Sequence, residues 1–361
     1  MGDHRWHSSG VPAPLRTPYA VVDVDVLDRN VVAMAASARA RGLDLRPHAK
    51  THKCAEIARR QLASGAVGLT VATAGEAEAM ADAGCADLFV AYPLWVDADR
   101  GARLRELADR VALRVGVESV EGAEALARHA GPVDVVVEVD SGHHRTGVAP
   151  EDSGAVAVAA ARAGLRVRGV FTFPGHGYGP GSAPRAASDE LAALGLAAAV
   201  VRAAGVEIDV VSGGSTPTAP LTSGELTEMR PGVYVVNDAQ QWELGTCGPD
   251  AIAFTVAASV VSRRPGRVVL DAGSKALGAD RPDWTTGSGR LLDVAGARIV
   301  ALSEHHATVT WPDGEPPALG AVLRVVPNHV CAAVNLVDEL VVTSGGDVVD
   351  RWAVAARGAN S

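Results

Sequence analysis

Lysine is almost missing from this chain. Its 361 residues contain Lys50, Lys53 and Lys275, and arginine carries the rest of the positive charge. An imine with a carbonyl compound needs an amine that can lose a proton, which arginine cannot supply, so any such chemistry falls to one of three residues. Positive charge is also in deficit overall. The formal net charge of -9, with no basic stripe or basic helix, works against binding to phosphodiester backbones or anionic membranes, and nucleic acid is not an expected partner. Cysteine is sparse: Cys54, Cys85, Cys247 and Cys331 are scattered and form no C-x-x-C pair, which argues against a disulfide framework and a zinc knuckle. Cys54 and Cys85 fall at apolar helix positions and read as small core residues. No apolar run is long enough to span a bilayer, and Met1 to Gly10 lacks the apolar core of a signal peptide, so no membrane partner and a cytoplasmic location are expected.

What is present is the composition of a globular enzyme. Apolar residues make up 48% and charged residues 21%, and the length favours two domains, one large and one smaller. From Tyr19 to about Asp238, β-branched runs alternate with Ala/Arg/Glu-rich helical stretches, the pattern of parallel strands joined by crossover helices. After an opening run at Tyr19–Asp23, strands are predicted near Asp44–Pro47, Val67–Ala72, Leu88–Ala91, Val111–Val117, Val133–Val139, Val167–Phe173, Ile208–Val211 and Val233–Val236. Eight such units close a (β/α)8 TIM-type barrel, with an open doubly wound sheet as the alternative. Past Gln241 the texture becomes short strands separated by Gly/Pro/Asp turns, which reads as a C-terminal β domain. The expected boundaries are a barrel over 17–243 and a β domain over 244–361, with residues 1–16 a candidate addition to the latter.

In such a barrel the reactive groups lie just after the strands. By this count strand one leads to His48 and Lys50, strand two to Thr73 and strand three to Tyr92. Strand five leads to Asp140, His143, His144 and Arg145, strand six to His176 and Tyr178, strand seven to Ser212, Gly213, Gly214, Ser215 and Thr216, and strand eight to Asn237 and Asp238. Adjacent glycines let backbone N–H groups approach an anion and hydroxyls add donors, so Ser212–Thr216 reads as a phosphate loop, at the place in the barrel order where phosphate is commonly held. Lys50, at the mouth of strand one, is the best-placed amine. His305 and His306, after Ser303-Glu304, read equally well as residues approaching the site or as a surface turn, and His4 and His7 as an inert tail.

Four blocks carry a resemblance: Arg46-Pro-His-Ala-Lys50-Thr-His-Lys53, Glu138-Val-Asp-Ser-Gly-His-His-Arg145-Thr-Gly147, Ser212-Gly-Gly-Ser-Thr-Pro-Thr218 and Pro327-Asn-His-Val-Cys331. In this order they resemble the D-serine dehydratase and D-threonine aldolase family, whose alanine racemase-like fold joins a pyridoxal-phosphate (PLP) barrel to a β domain. The resemblance implies that Lys50 is the catalytic lysine bound covalently to the cofactor. It implies that Arg145 reaches the phenolate side of the ring, that Tyr178 lies near the ring nitrogen, and that Gly213, Gly214, Ser215 and Thr216 hold the phosphate. Ser212, His176 and Asp238 complete the cofactor-binding set. His329 and Cys331 would be ligands of a divalent metal beside the cofactor. An i, i+2 pair in an extended segment points to one side, and imidazole with thiolate favours zinc.

The resemblance further implies a small D-amino acid as substrate and a homodimer as the assembly. Dehydration of D-serine to pyruvate and ammonia is the preferred activity, because Arg46–Lys53 and the Thr70-Val-Ala-Thr73-Ala-Gly-Glu76-Ala-Glu78 stretch look more like the dehydratase branch. Retro-aldol cleavage by a D-threonine aldolase is the alternative. An amino-acid racemase and a non-catalytic PLP carrier are further ones.

Overall fold

The computed structural model describes residues 15–312 and 314–361; His4 and His7 lie outside them. The chain divides into two compact units, one of residues up to Val32, Thr51–Glu56 and Val233–Arg357, the other of Ala33–Lys50, Ile57–Gly232 and Gly358–Ser361.

The second of these is the barrel. Strands Leu69–Val71, Asp87–Pro93, Ala112–Val117, Asp134–Glu138, Arg166–Phe171, Val210–Gly213 and Glu228–Met229 each pair in parallel with the next, and Glu228–Met229 pairs with Asp44–Leu45. The first strand also meets the second. Val67 N–H donates to Leu45 O at 2.9 Å and Thr70 N–H to Pro47 O at 2.8 Å, so the ring of eight strands closes. The strands form where they do because runs such as Val135–Val137 are buried on both faces, as a sheet between side-chain core and outer helices demands. The helices start on side-chain caps: Thr73, Asp97 and Ser119 accept from the N–H groups of Glu76, Arg100 and Gly122. Helix Val120–Ala130 buries Ala123, Leu126 and Ala130, one stripe of its surface.

The last barrel strand is not the expected one. Val233–Val235 is a 3-10 turn of the other unit, and the eighth strand is the two-residue Glu228–Met229. Its signal was hidden because Glu228 and the following Arg230 are charged yet buried, at 3% and 5% exposure. Glu228 is neutralised by Arg46 Nε at 2.6 Å and Arg114 Nη1 at 3.3 Å. Arg230 donates from Nε to Ser212 Oγ at 2.8 Å and lies over the rings of Phe89 and Phe171. Polar periodicity fails wherever charges pair inside a barrel.

The other unit is built on a nine-stranded sheet. Arg267–Leu270, Ala307–Thr310, Val294–Leu302, Gly289–Leu291, Val322–Pro327 and Phe254–Arg264 follow one another antiparallel, and the last pairs back onto the first. Tyr19–Asp23 belongs here and not to the barrel: it runs antiparallel to Phe254–Arg264 and parallel to Glu339–Ser344, which carries Asp347–Ala353 at the edge. Strand Val322–Pro327 delivers Asn328 and His329 into the short helix Val330–Val334, which begins one residue before Cys331. Among the described residues no helix is long and apolar enough to cross a membrane.

Candidate active site

In the barrel unit the side chains singled out from sequence meet around one ring that sequence reasoning passed over. Phe173 follows strand Arg166–Phe171. Lys50 Nζ lies 5.5 Å from its centroid and the Arg145 guanidinium 5.3 Å. His143 meets it edge-on at 5.6 Å, and Tyr178 is tilted against it at 6.0 Å. Lys50 is placed by the single 3-10 turn Ala49–Thr51 that ends the first barrel segment. Phe173 thus holds an amine, a guanidinium, an imidazole and a phenol within one residue's reach. The aromatic residue after a strand was the signal that could have found it.

Beside this ring is a narrow cavity lined by Glu138, Asp140, His143, Arg145, Thr146, Thr172 and Phe173. Burial raises the Glu138 carboxyl, the Thr146 hydroxyl at 2.9 Å opposing, and Glu138 Oε2 is buried with no hydrogen-bond partner. Burial and the neighbouring Arg145 and His176 charges lower His143, which favours its neutral form. His176 Nε2 is held by Asp189 at 3.2 Å, while its buried Nδ1 has no partner. His144 is exposed and bonds Asp140 at 2.6 Å.

Ser212 and Gly213 end the seventh strand, Val210–Gly213, which runs two residues further than expected, and Gly214, Ser215 and Thr216 follow it; all five are buried. Gly214 sits at φ +79°, a backbone conformation that favours glycine. Two of the loop's N–H groups are engaged within the protein: Gly214 donates to Glu190 Oε1 at 2.5 Å, and Ser215 donates to Thr218 Oγ1 at 2.9 Å. These bonds set the shape of the loop.

The metal pair lies in the other unit. His329 Nδ1 bonds Asp280 Oδ2, and Cys331 Sγ donates to Thr51 Oγ1 at 3.5 Å, Thr51 being the residue after Lys50 in the sequence. Burial opposes charge on His329, but Cys331, Asp280 and Asp238 outweigh it and hold the imidazole protonated up to about 11. Asp238 does not follow a barrel strand, because the eighth strand ends earlier at Met229. Its Oδ1 accepts from Gln241 N–H at 2.9 Å, capping Ala239–Leu244, and its Oδ2 from Val330 N–H at 3.1 Å; burial raises it to about 6. Among the described residues no group of three or more His, Cys, Asp or Glu side chains is arranged to hold a metal. Two adjoining soft and borderline donors suit an ion that keeps its other positions for water or substrate.

The remaining sequence candidates are accounted for. Lys53 is buried at φ 51° and donates to Asn335 Oδ1 at 2.8 Å. Lys275 pairs with Glu304 at 2.8 Å with both side chains largely exposed. His305 and His306 are exposed, and Cys54 and Cys85 are buried. Lys50 adjoins the Arg145–Phe173 cluster. An amine and a guanidinium on one ring, orphaned buried atoms beside them, and a glycine loop at the phosphate position fit PLP.

Comparison with known proteins agrees. The family described as alanine racemase, N-terminal domain, matches residues 22–240, and the serine dehydratase domain family matches residues 253–343. The D-threo-3-hydroxyaspartate dehydratase of Delftia sp. is 35% identical over 349 residues, covering 88% of this chain and 91% of the relative. The chain belongs to the D-serine dehydratase and D-threonine aldolase family. A crystal structure of the D-threonine aldolase from Filomicrobium marinum superimposes with a TM-score of 0.87 at 32% identity, covering 97% of this chain and all of the other. The D-serine dehydratase of Dictyostelium discoideum is 26% identical over 383 residues, covering 94% of this chain and 96% of the relative. As a member of this family with the alanine racemase-like fold, the chain is a PLP-dependent lyase.

Proposed function

We propose that this lyase removes water from a small D-3-hydroxy amino acid, D-serine in the first instance, giving pyruvate and ammonia. The observation that carries the reading is the placement of Lys50 and Arg145 against the same Phe173 ring, in a family whose named relatives are dehydratases and an aldolase. PLP, when bound, supplies the electron sink for cleavage at Cα, and a divalent ion supplies Lewis-acid polarisation of the β-hydroxyl.

The protein's part is positioning and proton transfer. With the cofactor bound, Lys50 would anchor it covalently, and its free amine would take the proton from Cα. Arg145 supplies a fixed positive charge beside it, and Phe173 gives both an apolar wall that thins the surrounding water. The Ser212–Thr216 loop binds the phosphate. His143, kept neutral, orients a polar group without adding charge. His329 and Cys331 would hold the ion; a cysteine-to-alanine variant of a D-threo-3-hydroxyaspartate dehydratase is described in a metal-free form. The C–O bond would then break with loss of hydroxide, and the released enamine, after tautomerising to the imine, would take up one water to give pyruvate and ammonia.

The test is a substrate panel of D-serine, D-threonine and D-threo-3-hydroxyaspartate with and without added zinc. Release of ammonia and a 2-oxo acid in equal amounts is expected. Glycine with an aldehyde would replace dehydration by retro-aldol cleavage, and no product from any of the three would overturn the reading.

A further inference from the structure

Glu190 lies in the middle of helix Ala183–Ala203, which packs against the Ser212–Thr218 segment, and it is 1% exposed. An ionisable residue so deep in a helix needs partners, and this one has the loop itself. Its Oε1 accepts the Gly214 N–H at 2.5 Å, and a Cβ added at Gly213 would overlap the same oxygen. Both glycines of the loop are therefore fitted around one carboxyl. The sequence pattern gave no hint of it, since Glu190 reads as one polar residue of an Ala-rich helix.

The charges around Glu190 are few. Arg230, after the last barrel strand, is the charge that faces it, and Arg230 is itself shared with Glu228 and Glu138. The adjoining Asp189 on the same helix is engaged by His176 at 3.2 Å and Arg185 at 3.5 Å. Gly214 is the contact from the loop. Burial raises Glu190 to about 7, against the pull of Gly214 and Arg230, so near neutral pH the carboxyl exists in both forms.

We propose that Glu190 is the positioning residue of the anion loop: its carboxyl fixes the Gly213–Gly214 backbone, and its ionisation opposes the entry of a phosphate group. The inference rests on the reading of Ser212–Thr216 as the phosphate site. A neutral acid can accept the Gly214 N–H and leave the loop attractive to an anion. A carboxylate keeps the same bond and repels the incoming phosphate. By linkage, phosphate binding favours the protonated form and takes up a proton.

The size of the effect follows from the population of the competent form. With half-protonation near 7 and binding confined to the neutral acid, about one molecule in eleven is competent at pH 8, so affinity falls roughly tenfold between pH 6 and pH 8. The probe is pyridoxine 5'-phosphate, which has no aldehyde and cannot react with Lys50, titrated calorimetrically into the full chain freed of cofactor, with unphosphorylated pyridoxine alongside. Glu190→Gln retains an oxygen for Gly214 and cannot ionise; Glu190→Leu loses the bond.

The wild type should prefer the phosphorylated probe and lose about tenfold in affinity from pH 6 to pH 8 relative to Glu190→Gln, which should match it at pH 6. Glu190→Leu should bind about tenfold or more weakly at both values. A Glu190→Gln pH profile superimposable on the wild type overturns the proposal, as does Glu190→Leu binding with wild-type affinity. Equal binding of the two probes by the wild type would instead show that the loop is not a phosphate site, and the proposal falls with that reading.

Discussion

Replacing Arg46 by Met is the sharpest test of how the barrel is held together. The guanidinium is 1% exposed and makes three charge-assisted bonds: Nε to Glu228 at 2.6 Å, and Nη1 and Nη2 to Asp87 at 2.7 and 3.1 Å. These join the first, third and eighth strands. Methionine retains most of the apolar stem, so the loss is chiefly of charge. Asp87, about a third exposed, can be rehydrated, whereas Glu228 is buried and retains only Arg114 at 3.3 Å and Ser212 at 2.8 Å.

Breaking a buried pair from one side costs about 3–5 kcal/mol, and the partners left to Glu228 place this case near the lower end, about 3 kcal/mol. At roughly 2 °C per kcal/mol for a chain of this size, the barrel's thermal midpoint should fall by about 6 °C. Arg46→Met with Glu228→Gln should recover at least half, because no buried charge is then left. The sign with pH is also fixed. Burial pushes Glu228 up, but Arg46, Arg114 and Ser212 hold it below the usual carboxylate range. Its contribution is present above the unfolded-state value of about 4.3 and is lost as the pH falls through the lower folded value, so the wild type and Arg46→Met should converge in acid. Differential scanning calorimetry measures all of this. A single variant that melts within about 1 °C of wild type, or a double variant no better than the single, would refute the argument.

Glu190 contributes with the opposite sign: between the ordinary glutamate value of 4.5 and about 7 the folded chain keeps a proton that the unfolded chain has released, so stability falls as pH rises through that window. Chemical denaturation across pH 4–8 should show a slope totalling about 3 kcal/mol at most, abolished in Glu190→Gln. Phe173→Leu should weaken PLP retention several-fold by removing the ring shared by Lys50 and Arg145, with about 0.5–1 kcal/mol lost per cation contact and little change in melting. Dialysis followed by absorbance measures it. His329→Ala and Cys331→Ala should load PLP normally and still exchange the Cα proton of D-serine with solvent, while elimination drops by about 100-fold or more. Chelation should mimic them, and zinc should restore only the wild type.

How much of this was readable in the sequence depended on whether local chemistry and local structure agreed. The β/α alternation from Asp44 to Gly213 and the turn-rich C-terminal texture were legible because helix and strand periods are set by neighbours a few residues apart. The eighth strand was not, since Glu228 is neutralised by Arg46 and Arg114, both distant in the chain, and Arg230 finds its hydrogen bond on Ser212 inside the barrel. That error carried Asp238 into the barrel, whereas its carboxyl is engaged by Gln241 and Val330. The opening strand Tyr19–Asp23 was visible as a strand, but not its pairing with Phe254–Arg264, which a crossover of more than 200 residues conceals. The reactive residues at the strand ends stood out by type. Phe173 and Glu190 did not, because a phenylalanine after a strand and a glutamate in a helix are ordinary until the fold brings Lys50 and Gly214 to them.

The central claim is that Lys50 carries the cofactor. Reduction of the PLP-loaded protein with borohydride, followed by proteolysis and mass spectrometry, tests it most directly. The label is expected on the peptide containing Lys50 and should be absent from Lys50→Ala. Label on Lys275 or Lys53 in the wild type, or a coloured and reducible Lys50→Ala, would contradict the account.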